Sequence, residues 1–179
     1  MKIKEKKILV ASHDAGGANI LSSFIKFNPG NYEFVLTGPA RKIFLKKIKI
    51  KQIKKKINLD NIKKIFLSTS WESKLEIKIL KEARKKKIPV FSFLDHWTNY
   101  KKRFLLNKKI FLPNKIIVTD NYAYNIAKKE FKKTKIIKVK NFYLMEAKNK
   151  LKFTVKKKKK IRIQRIYNLM NQKKAPKKI

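Results

Sequence analysis

ILVASHDAGGAN, residues Ile8 to Asn19, is the stretch whose reading decides the fold. Four apolar positions without alternation, Ile8 to Ala11, predict a strand buried on both faces, as parallel sheets require. Polar His13 and Asp14 close that strand, and Gly16-Gly17 leads into a segment with helical spacing over Ala18 to Phe27. A strand that turns directly into a helix is the first half of a βαβ unit.

The same pattern recurs along the chain. Strands are predicted at Lys7 to Ser12, Tyr32 to Thr37, Lys64 to Ser68, Pro89 to Leu94, Lys115 to Thr119 and Lys135 to Val139, with helices over Ala40 to Lys47, Ser73 to Lys87 and Tyr122 to Lys132. The helix after Ser73 has Leu75, Ile79 and Ala83 on one face, and Ser73 with Glu76 three residues on reads as a capping box. The expected fold class is therefore α/β: a doubly wound, Rossmann-like parallel sheet over residues 1–145, followed by a basic linker or tail over 146–179. The stretch from Lys46 to Asn58 shows neither period. After Glu146 no acidic residue remains, and 14 Lys or Arg follow Ala147, which predicts a tail that is poorly ordered or only locally helical.

Ligands of open parallel sheets bind beyond the carboxyl ends of the strands, where loops and helix N-termini converge. The uncommon residue types fall there. His13 to Asn19 follow the first strand, Ser70, Trp71 and Glu72 the third, Asp95 to Tyr100 the fourth, and Asp120 the fifth. His13 at a strand end is a candidate general base, with Asp14 or Asp95 to orient it, because a neutral imidazole suits proton transfer near neutral pH. Gly16, Gly17 and Asn19 open a helix whose amides could face an anion, although the spacing matches no dinucleotide or P-loop pattern. Asp95, His96, Trp97, Asn99, Tyr100 and Arg103 combine carboxylate, imidazole, aromatic faces and guanidinium, a mixture suited to a polar ring such as a sugar. Ser70 and Asp120 read equally as helix caps, and Trp71 as a packing residue. No His and carboxylate spacing specifies a metal.

The chain has 179 residues, 50 basic against 11 acidic, for a formal charge of +39. Such a charge invites nucleic acid. Yet 45 of the 50 are Lys and five are Arg, and Lys, Ile, Asn and Phe fill 95 positions, which base bias toward AT-rich codons explains more simply. Nucleic acid is accordingly not the expected partner. The absence of Cys excludes disulfides and thiol nucleophiles. The N-terminal apolar run is too short for a signal peptide, and no run approaches a membrane span, so a cytoplasmic protein is expected.

The phrases ILVASHDAGGAN, LSTSWESKLE (Leu67 to Glu76), FLDHWTNYKKRF (Phe93 to Phe104) and LPNKIIVTDNYA (Leu112 to Ala123) together resemble the N-terminal half of bacterial surface-polysaccharide biosynthesis proteins. Those are similar to GT-B glycosyltransferases and UDP-N-acetylglucosamine 2-epimerases. The resemblance implies an acceptor-binding domain with a base after its first strand, which His13 matches. It implies a nucleotide sugar as donor substrate, with no further cofactor, and a sugar or lipid-linked sugar as acceptor. The family's second, donor-binding domain has no counterpart over 146–179. The expectation is an inactive truncated relative or one chain of a split enzyme, with the tail holding it weakly at the inner face of an anionic membrane. Sugar epimerisation on the same framework, and electrostatic binding of nucleic acid or membrane, are the rival readings.

Overall fold

The structure is a computed structural model that describes residues 5–70 and 72–174. In chain order it contains β1 (Lys7–Ser12), α1 (Ala15–Phe27), β2 (Tyr32–Leu36), α2 (Gly38–Lys47), β3 (Ile62–Leu67), α3 (Leu75–Lys85) and β4 (Val90–Phe93). A single 3-10 turn (Lys101–Phe104) leads to β5 (Leu105–Leu106) and β6 (Lys109–Ile110). Then come β7 (Lys115–Val118), α4 (Asn121–Glu130), β8 (Lys135–Lys138) and α5 (Phe142–Lys174). Six strands form one sheet in the order β2-β1-β3-β4-β7-β8, and every pairing in it is parallel. The chain is thus a mixed α/β fold of the doubly wound, Rossmann-like kind.

Alternation along each strand feeds two cores. Leu9, Ala11, Ile65, Leu67, Ile116 and Val118 face α3 and α4, where Ile79, Leu80, Ala83, Ala127 and Phe131 meet them. Val10, Phe34, Phe66, Phe93 and Ile117 face the other way, against Leu21 and Ile25 of α1 and Phe44 of α2. Phe93 is fully buried there, with ring centroids 4.9 Å from Phe24 and 6.0 Å from Phe66. The segment after α2, irregular in sequence, has no helix; Ile53 bridges to Phe34 along the sheet edge and Leu59 enters the core.

Two local readings are corrected. The capping box at the start of α3 does not form: Ser73 Oγ accepts the Leu75 N–H at 3.0 Å, but Glu76 turns across the sheet instead of back to Ser73. Residues 142–174 form one helix, not a loosely ordered tail. No Gly or Pro interrupts that stretch and Lys is a good helix former, so local propensity outweighs repulsion among its charges. By contact the chain divides into two units, residues 1–143 and 144–179. Within the first, Phe142 stacks on Phe27 at 4.9 Å and Lys47 Nζ lies 4.7 Å from the Tyr143 ring. Among the described residues no helix is long and apolar enough to cross a membrane.

Phe93→Ala removes the ring on which Phe24 and Phe66 close. We expect a loss of about 3–5 kcal/mol of unfolding free energy in urea titrations; a loss below about 1 kcal/mol would show that this core repacks around the gap.

Candidate functional site

The chain order reverses between β1 and β3, since β2 lies on one side of β1 and the rest of the sheet on the other. Loops diverge at such a switch point and leave a crevice beyond the carboxyl ends. A hydrogen-bonded chain closes its floor. Ser12 Oγ lies 2.8 Å from Ser68 Oγ, Ser68 Oγ donates to Glu76 Oε1 at 3.0 Å, and the His13 backbone N–H donates to the same oxygen at 2.8 Å. Glu76 is 5% exposed, and its Oε2 has no hydrogen-bond partner among the described residues. Burial pushes its carboxyl up to about 7, against the pull of the Ser68 and His13 donors, and nearby Asp14 adds to the rise.

His13 is held by its other flank. Its Nδ1 lies 2.8 Å from Thr37 Oγ1, and its ring rests on Gly38, where a Cβ would fall 2.6 Å from Cε1. Gly38 also has φ of 49°, so it meets both a steric and a backbone demand. In the tautomer whose Nδ1–H donates to Thr37, Nε2 keeps its lone pair, 4.0 Å from Asp14 Oδ1. Thr37, at the end of β2, rather than Asp95, meets the imidazole.

Asp95 serves a neighbouring contact. Its Oδ1 accepts from Arg103 Nη1 at 2.8 Å, both side chains being about nine-tenths buried, and Arg103 Nη1 also donates to Thr69 Oγ1 at 3.1 Å. Burial raises the Asp95 carboxyl's pKa while Arg103 draws it back. Its Oδ2 presses on Gly16, where a Cβ would collide, and a Cβ on Gly17 would stand 2.5 Å from Ser68 Cβ. The two glycines are therefore close-approach positions, and an internal carboxylate already stands beside the start of α1. The Asn19 amide is spent on the Ala15 carbonyl at 3.0 Å.

The outer wall is aromatic. Trp97 is 54% exposed and donates Nε1–H to Asp120 Oδ2 at 3.3 Å, while Asp120 Oδ1 caps α4 by accepting the Ala123 N–H at 2.7 Å. Tyr122, 64% exposed, stands edge-on to Trp97 with centroids 5.8 Å apart. Tyr122 stands two residues after the capping Asp120, in the first turn of α4. His96 is exposed with Nδ1 3.1 Å from Thr98 Oγ1, and Asn99 is exposed in a left-handed turn at φ 59°. Tyr100 leaves the wall: it is buried, parallel to the Phe131 ring, and burial pushes its hydroxyl up to about 12. Ser70 Oγ accepts the Ser73 N–H at 2.8 Å, Glu72 is exposed, and Trp71 lies outside the described residues.

Charge is distributed unevenly. Residues 13–19, 37–40, 68–73, 94–100 and 119–127 contain no Lys, in a chain with 45, yet they hold four of its 11 acidic residues, Asp14, Glu72, Asp95 and Asp120. A depression of about 740 Å³ at the amino-terminal edge, lined by Lys26, Tyr32, Lys49 and Lys51, has the opposite character. Fold and site together define a doubly wound α/β protein with polar and aromatic side chains gathered in the loops at the carboxyl edge of its sheet. No family model and no curated protein matches the chain.

Folding raises the Glu76 pKa from 4.5 to about 7, so the stability it contributes is fully present below pH 4.5 and is lost as pH rises through about 7. Glu76→Gln should flatten this loss by roughly 2–3 kcal/mol between about pH 5 and pH 8, read from urea titrations. A native profile as flat as the variant's would mean that the folded carboxyl ionises normally.

Proposed function

We propose that this chain is the acceptor-side domain of a GT-B-like glycosyltransferase of cell-surface polysaccharide synthesis, acting in the cytoplasm with a separate chain that holds the nucleotide sugar. The observation that carries this reading is that the loops over 13–19, 37–40, 68–73, 94–100 and 119–127, at the carboxyl edge, are free of Lys. A site for phosphates or nucleic acid needs cations, whereas a hydroxyl-rich ring needs carboxylates, amides and aromatic faces, and the edge loops offer those. The resemblance of the loop phrases to polysaccharide-biosynthesis proteins supports the same class.

In this reading the sugar packs on Trp97 and Tyr122, and one acceptor hydroxyl reaches His13. Nε2 takes the hydroxyl proton as the oxygen attacks the anomeric carbon of the donor. The new C–O bond forms as the bond to the diphosphate breaks, and the nucleoside diphosphate leaves with the electron pair. In this reading stabilising that leaving group falls to the donor-binding partner, because residues 13–19, 37–40, 68–73, 94–100 and 119–127 contain neither Lys nor Arg and Arg103 is committed to Asp95.

The test pairs binding with turnover. Methyl glycosides of common hexoses and N-acetylhexosamines should shift the Trp97 indole resonance, and Trp97→Ala or Tyr122→Ala should weaken that binding about tenfold. The chain alone should not turn over nucleotide sugars. With the partner chain from its gene neighbourhood, His13→Ala should lower transfer about 100-fold or more while leaving glycoside binding within about twofold. Turnover by the isolated chain, or glycoside binding indifferent to Trp97, would overturn the reading.

A further inference from the structure

The helix from Leu144 to Lys174 carries 12 Lys or Arg and one acidic residue, Glu146. Large apolar side chains stand in solvent among those charges: Leu151 is 65% exposed, Phe153 70%, Val155 64% and Ile161 57%. At 100° per residue Leu144, Leu151 and Val155 share one side while Phe153 lies opposite, so the segment is a polybasic rod with scattered apolar side chains rather than a helix with one oily stripe.

We propose that this segment is a docking surface for an anionic lipid bilayer. Charge complementarity is the first argument, since clustered lysines are drawn to the negative surface potential of acidic headgroups. The exposed apolar residues are the second. A bilayer is anionic at its surface and apolar just beneath, so Leu151, Phe153, Val155 and Ile161 find a medium there while the lysines extend their ammonium groups to the headgroups. A nucleic acid offers aliphatic side chains no such gain. Only two of the 12 cations are Arg, the residue whose planar fork suits phosphate and guanine. The inference stands independently of the sugar reading, because it uses no residue of the crevice.

The experiment is co-sedimentation of the full chain with vesicles of phosphatidylcholine alone and of phosphatidylcholine with about one third phosphatidylglycerol. Binding should be at least about tenfold tighter to the acidic vesicles and should fall about tenfold or more in roughly 0.5 M salt. Lys157→Gln, Lys158→Gln and Lys160→Gln together should reduce it about tenfold. Leu151→Ser, Phe153→Ser and Val155→Ser together keep the charge and should also reduce it about tenfold. Helix content by circular dichroism shows that the variants fold. Equal binding to both vesicle types would overturn the proposal. So would a serine variant that binds acidic vesicles as well as the native chain, or complete displacement from them by an equal charge of duplex RNA, which would assign the surface to nucleic acid.

Discussion

Burial of one carboxyl between β1 and β3 sets the height at which the two strands end. Removing Glu76 from water is costly, and only one of its oxygens is repaid, by the His13 N–H and the Ser68 hydroxyl. Those two donors belong to the first residues beyond β1 and β3, the strands between which the chain order reverses. One oxygen therefore fixes both lips of the crevice, and the Ser12–Ser68 bond beneath it prevents the strands from slipping. With its backbone held in this way, His13 needs only Thr37 and Gly38 to set its ring.

The Asp95–Arg103 pair extends the same logic across β4. A buried ion pair adds little net stability against an apolar pair of equal size, but its directional bonds fix position. Arg103 reaches Thr69 and the Thr98 carbonyl as well as Asp95, tying the loops after β3 and β4 together. Asp95 in turn limits how far α1 can move, since Gly16 leaves no side chain between them. Glycine is needed at 16 and 17 because the α1 entrance is crowded, and this accounts for the pair without an external anion.

Much of the architecture was legible because its determinants are local or periodic. Apolar runs such as Ile8–Ala11 and Ile116–Val118 mark strands wherever they occur, and Asp120 caps a helix with an amide three residues away. What was not legible depends on partners distant in sequence. Glu76 fits the capping box locally, but the His13 amide, 63 positions away, takes it. Tyr100 sits in the most polar loop of the chain, yet Phe131 draws it inward. The β5–β6 hairpin escaped because its strands have two residues each; Asn107 and Lys108, both at positive φ, form its turn. In the long C-terminal helix, propensity and charge repulsion oppose each other, and sequence alone gave repulsion too much weight.

The Trp97–Tyr122 corner shows how an exposed aromatic pair is kept in place. A large ring in water gains nothing from the core, so its orientation must come from polar bonds. Asp120 supplies them, with one oxygen on the Trp97 indole and the other on the first turn of α4, the helix that carries Tyr122. A single carboxylate thus aligns rings from the loops after β4 and β7. In a protein of charge +39 the surrounding field attracts anionic ligands from a distance. At short range Asp14, Glu72 and Asp120 oppose a phosphate at the crevice, and the field of the lysines is screened beyond about 10 Å at ordinary salt. Under the acceptor reading these two ranges divide the work: the basic surface concentrates ligands that carry phosphate, and the Lys-free loops admit their neutral, hydroxylated end.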